Sequence, residues 1–274
     1  MLWPHLLALT IALSASSAAP AANAALSASI TAGDLAFAAR GEPGRIEASL
    51  AAYRQASALR PGDPTAELRL ARALQFAALS DPSSSRTAWA EAARAAERAL
   101  RTLAPAWAAE IDRGADPAAV APRVPPAGAE ALYWFALAVY SGARTRGFAA
   151  VLAIRSAALA SMERAAALDE QVDFAGPHRA LGSWLSALPV GVGGGAASAR
   201  THFERARALF PAFGLNAVRE AETYAVLVQD RKLFESSLAT ALAVDETAHP
   251  EMTPENRLAK QLARALLDGK DRLF

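Results

Sequence analysis

A chain of 274 residues with 53 % hydrophobic and 20 % charged side chains suits one or two ordinary domains or a single helical array, and is too apolar to be disordered. A net charge of +1, from 28 basic and 27 acidic residues, gives no electrostatic footprint for nucleic acid. The absence of cysteine excludes disulfides, thiolate metal sites and a lipid-modified cysteine.

Residues 1–24 read as a signal peptide. Leu6 to Leu13 is an apolar run, and Ala22-Asn23-Ala24 is a small-residue cleavage site ahead of Ala25. The segment before the run carries His5 but no lysine or arginine, which leaves the start codon open. The alternative, a buried N-terminal helix, fits Pro4, Pro20 and the serine-alanine run poorly. Export with no cysteine is compatible with a bacterial periplasm, the expected location, and after cleavage no apolar run of about 20 residues remains to span a membrane.

Residues 25–103 read as N-terminal helical hairpins. Leu35 to Arg40 is predicted as a short helix ended by Gly41 to Gly44, with Arg45 to Leu59 as its partner. Ser49, Tyr53, Ala56 and Pro61 there follow a small-x3-aromatic-x2-Ala-x4-Pro spacing. A second hairpin follows Pro61 to Pro64, with Leu70, Ala71 and Leu74 on its first helix. Its second helix, about Arg86 to Leu103, offers Ala92, Ala96 and Ala99 for close packing, and Ser80 to Ser85 supplies the turn and N-cap residues. From 104 to 128 five prolines break any long helix, leaving a Pro-rich connection with one short helix at Ala106 to Ile111. Trp89 and Trp107 favour a packed connection over a free linker.

Residues 129–274 read as a C-terminal helical-repeat region. Its first hairpin starts at Glu130 to Arg144, with Leu132, Phe135, Ala136 and Val139 at repeat positions, and returns through Ala158, Met162 and Ala165 to Leu168-Asp169. The next carries the tetratricopeptide spacing nearly whole. His178, Leu181, Gly182 and Leu185 stand at the W-x2-L-G-x2-Y positions, and Ala199, Phe203 and Pro211 at A-x3-F…P. Gly182 and Ala199 are small where helices must approach, Phe203 fills the groove, and Pro189 to Gly195 is a surplus glycine loop. A further hairpin runs from Leu215 through Ala221 and Tyr224, turns at Asp230-Arg231, and returns over Leu233 to Leu242. A final helix, about Pro254 to Leu267, has Gln261, Arg264 and Asp268 outside and suits the capping helix of an array. The fold class is therefore all-α, a tetratricopeptide-like solenoid of helical hairpins.

Several pieces of the second half, in order, resemble a specific family. They are Ala131-Leu132-Tyr133-Trp134, Met162-Glu163-Arg164, Gly176-Pro177-His178-Arg179, Leu188-Pro189, His202-Phe203, Glu222-Thr223-Tyr224, Asp230-Arg231 and Pro254-Glu255-Asn256. From about Pro125 to Leu267 the chain resembles the T-component (TatT) family of tripartite ATP-independent periplasmic (TRAP) transporters. The resemblance implies a non-catalytic periplasmic accessory that contacts the substrate-binding P-component and handles a small apolar or organic-acid ligand. Relatives are often lipoproteins, which a chain without cysteine cannot be.

Candidate binding residues are Tyr133, Trp134, Tyr140, His178, Arg179, Trp184 and Tyr224. The aromatic run Tyr133-Trp134-Phe135 with Tyr140 is either a wall of a ligand cleft or packing between repeats. Arg179 can clamp a carboxylate through two hydrogen bonds or form a helix ion pair. His178 and His202 can meet across one hairpin, yet two histidines without a placed carboxylate make a poor metal site, and no metal or cofactor is expected. Gly194-Gly195 lacks the preceding strand and the G-K-[ST] of a phosphate loop. No G-x-S-x-G or H-E-x-x-H occurs, and Glu222 and Asp230, spaced for one helix face, read as solvated, so no enzyme is expected. The competing function is a general scaffold for envelope complexes, which would show a polar concave face without an apolar pocket. The oligomeric state, a homo-oligomer included, is open.

Overall fold

The computed structural model describes the backbone of residues 5–274 and the side chains of residues 20–274, and every regular element among them is helical. Of the predicted signal segment, residues 1–4 lie outside the described residues and residues 5–19 are described by backbone alone.

Proline and capping carboxylates place the breaks. α1 (His5–Ala38) is followed by a tight corner and α2 (Arg45–Leu59). The expected short helix at Leu35 to Arg40 is thus the end of a longer one, because the alanine-rich stretch before it offers no breaker after Pro20. α1 begins to pack at Leu26; residues 20–25 are exposed. α3 (Pro64–Ser80) starts on a proline, with the Asp63 carboxylate accepting from the Ala66 amide. α4 (Ser85–Leu103) lacks the serine cap that its sequence promised. The Ser84 and Ser85 hydroxyls donate to the carbonyls of Asp81 and Pro82 instead of accepting from helix amides.

The Pro-rich connection is packed. It forms α5 (Pro105–Asp112), α6 (Pro117–Val120) and two short 3-10 turns, and it buries Trp107, Val120, Ala121 and Val124. Arg164 of α8 (Phe148–Leu168) holds it by donating two hydrogen bonds to the Val124 carbonyl. α7 (Ala129–Arg144) precedes α8, and α9 (Val172–Ala187) and α10 (Ala196–Leu209) follow. α11 (Gly214–Arg219) runs into a wide π-helical turn, Glu220–Ala225, where the spacing predicted an unbroken helix. Asp230 then caps α12 (Arg231–Ala243) by accepting from the Leu233 amide, so it does not share a helix face with Glu222. α13 (Thr253–Asp268) ends the fold.

Consecutive helices pair: α1 with α2, α3 with α4, α7 with α8 and α9 with α10. Ala92, Ala95, Ala96 and Ala99 form a buried stripe that lets α4 lie close to both α3 and α7. In the α9–α10 hairpin Gly182 makes room for Phe203, since a Cβ on Gly182 would stand 2.8 Å from that ring. One core runs from Phe37 to Phe203 and takes in Tyr224, and a second is built by α11 to α13 around Phe213, Phe234 and Ala259.

α13 does more than cover an end. Gln261, Arg264 and Asp268 are exposed, but Pro254, Glu255 and Asn256 are buried. Arg40, in the corner after α1, donates through Nε to Glu255 at 2.8 Å and through Nη2 to the Glu251 carbonyl at 2.8 Å. Its guanidinium also lies over the Phe37 ring, and a Cβ on Gly41 would stand 3.5 Å from Pro254. The first and last hairpins therefore meet across a buried ion pair, and the path of contacts closes on itself.

Candidate functional site

A groove of about 520 Å³ opens between the faces that α3, α7, α9 and the α11 region turn toward one another. The spacing along each wall is helical: Tyr133, Leu137 and Ser141 on α7, then Gly176, Arg179, Ala180 and Ser183 on α9. Leu215, Arg219, Glu222 and Thr223 line the opposite side, with Leu262 of α13 beyond. The volume lies within the range of small-molecule sites, and apolar walls interrupted by hydroxyls are typical of them.

The base of the groove is a strained turn. Asp173, Phe174 and Ala175 have φ of 51°, 56° and 64°, and none is glycine. Each left-handed L-residue costs about 1–2 kcal/mol. Arg179 compensates. Its Nη1 donates to the carbonyls of Asp173 (3.1 Å) and Phe174 (3.2 Å) and to Oδ1 of Asn216 (3.0 Å). Its Nη2 pairs with the Asp173 carboxylate at 2.5 Å, which also accepts from the Tyr133 hydroxyl at 2.6 Å. Burial, reinforced by the Asp173 charge, pushes the Tyr133 hydroxyl pKa far above its ordinary value, so it stays a donor. The guanidinium expected to clamp a ligand carboxylate already holds one from its own chain.

Charge is left over elsewhere. Arg219 pairs with Glu222 inside the groove. Arg144, at the end of α7, forms no ion pair among the described residues and lines both the groove and a smaller hollow of about 190 Å³. Trp184 lines the groove, Tyr140 lines the hollow, and the two rings stack at 4.1 Å as the partition between them.

Tyr133, Arg179 and Trp184 therefore share the groove, and four candidates lie off it. Trp134 is buried against Tyr133 and donates to Glu130. Tyr140 faces the hollow, and Tyr224 packs beside Phe203. His178 meets His202, Nδ1 to Nδ1 at 2.9 Å, and approaches Glu170 at 3.2 Å. That contact needs one donor and one acceptor, so at least one ring is neutral. Burial and the neighbouring His178 lower His202 to about 4, and burial lowers His178. A carboxylate that the sequence had not placed, Glu170, is thus present, but Arg205 binds it and holds its pKa at about 2. Among the described residues no group of three histidine or acidic side chains could hold a metal ion. Sequence reasoning missed Leu137, Ser141 and Arg144. Continuing one face of α7 from Tyr133 would have reached them.

Fold and groove define a protein of paired helices around a ligand-sized cleft. A family model described as TRAP transporter T-component matches residues 66–274, and the chain belongs to that family. The match begins in α3 and so reaches further back than the motif resemblance. No curated protein matches the sequence. Among the described residues, no helix is long and apolar enough to cross a membrane.

Proposed function

We propose that the chain is a periplasmic, non-catalytic accessory of a TRAP-type uptake system, recognising the substrate-binding P-component and holding a small apolar or organic-acid ligand in its groove. The observation that carries this reading is positional: the groove, from Gln75 to Leu262, falls wholly inside the region that matches the family. Tyr133 and Trp184 on its wall favour a ligand cleft over the polar concave face of a general scaffold. The paired helices and the repeat spacing around Gly182 and Phe203 support a tetratricopeptide-type array, with residues 25–103 and 129–274 as its two parts and 104–128 packed between them.

The test uses the mature chain from Ala25, purified under native conditions from the periplasm. Native mass spectrometry reads any retained small molecule, and calorimetry against purified P-component reads the partner. A chain that carries no ligand and binds no P-component sinks the proposal.

A further inference from the structure

Three turns meet at one edge of the molecule. Arg86, in the first turn of α4, donates to the Thr145 carbonyl between α7 and α8 at 3.1 Å. Gly147 and Phe148, at the start of α8, share the 190 Å³ hollow with Ala187 at the end of α9. The α3–α4 turn, the α7–α8 turn and the α9–α10 loop are therefore neighbours.

This edge is apolar and cationic together. Phe148 is 53 % exposed and Val190 81 % exposed, and the hollow beside Phe148 is walled by Tyr140, Val151 and Ala187. Arg144 and Arg146 precede Phe148 by four and two residues, are exposed, and form no ion pair among the described residues. Neither Ala131 to Met162 nor Phe174 to Phe203 contains an aspartate or glutamate, and the nearby Asp81 is engaged by Ser83. Elsewhere exposed arginines such as Arg54, Arg205 and Arg231 are matched by carboxylates, and Arg94 and Arg264, which like Arg144 and Arg146 have no ion pair among the described residues, are not placed beside an apolar hollow. The edge is built without its own counter-charge.

We propose that this edge is the seat for the P-component, which meets it with an acidic surface presenting an apolar side chain to the hollow. The inference rests on the P-component reading above and adds where and by what chemistry the partner docks. A concave hollow suits one inserted side chain, and an apolar centre ringed by charge matches the anatomy of protein interfaces. Three arginines without a carboxylate, Arg86, Arg144 and Arg146, still fall short of the cluster of 4–8 basic residues that marks a lipid-binding surface. Arg144 and Thr145 also line the groove, so a partner seated here covers the groove mouth.

The experiment titrates the mature chain and its variants against purified P-component at low and high salt. Phe148→Asp should weaken binding at least about tenfold. Arg144→Glu with Arg146→Glu should weaken it comparably and flatten the salt dependence. Leu35→Asp, on an exposed site of α1, should change the dissociation constant less than about twofold. Circular dichroism melts should stay unchanged, since all these side chains are exposed. If wild type binds and the edge variants bind equally well, the seat lies elsewhere and the proposed function stands. If wild type does not bind, both readings fall. Binding of wild type but not the variants to phosphatidylglycerol vesicles, without P-component binding, would make the edge a lipid-facing surface and overturn the inference. Self-association lost in the variants, again without P-component binding, would assign the edge to a second copy and overturn it likewise.

Discussion

The two ends of the groove treat arginine in opposite ways. At the base, Arg179 is buried and its guanidinium is shared among Asp173, Phe174 and Asn216, which holds three left-handed residues in place. At the mouth, Arg144 is exposed and, among the described residues, has no carboxylate. A fully satisfied guanidinium is part of the architecture, whereas one left with free donors is available to whatever arrives. Arg179, read in the sequence as either a ligand clamp or an ion pair, is engaged by its own chain, and Arg144, which drew no attention, stands at the opening.

Removing the base should have the largest effect. Arg179→Ala leaves the Asp173 carboxylate buried without its cation, a change that costs about 3–5 kcal/mol. Urea denaturation should show that loss, and a variant as stable as wild type would dissolve the contrast between the two ends. Next comes the hairpin that carries the base. Gly182→Ala drives a methyl toward the Phe203 ring and should cost about 1–3 kcal/mol by the same measurement.

A smaller effect is expected from acid. His202 and His178 both have pKa values below the ordinary histidine value of 6.5, so the folded state binds fewer protons than the unfolded chain. Stability from the neutral pair is complete above about pH 6.5 and declines as pH falls toward 4. The melting temperature should drop between pH 7 and pH 5, and His202→Gln should flatten that slope; a rise on acidification would contradict it. The smallest effect belongs to the mouth. Arg144→Gln should alter stability by less than about 0.5 kcal/mol, because no described partner loses a contact.

Much of the fold was legible in the sequence. α2 spans Arg45–Leu59 as predicted, α4 starts one residue before its predicted start, and α12 contains the predicted return helix. Prolines, capping carboxylates and small-residue stripes are local signals, and they survive folding. The site was less legible for three physical reasons. α7 packs against both α4 and α8, so Tyr133, Trp134 and Tyr140 are all buried and helical periodicity could not choose among them. The Asp173–Ala175 turn uses no glycine, so nothing announced that Asp173 folds back onto Arg179. Arg144 stands out among surface arginines by lining both the groove and the hollow, and that placement is a property of the folded molecule.

The contact between Arg40 and Glu255 bears on how the protein comes apart. An open row of hairpins frays inward from its termini, because each end unit has one neighbour instead of two. Here the terminal units are neighbours of each other. Amides of α1 beyond Leu26 and of α13 should then exchange with solvent almost as slowly as those of α4 or α7. Severing the pair with Glu255→Gln should speed exchange at both termini at once, although they lie 215 residues apart in sequence.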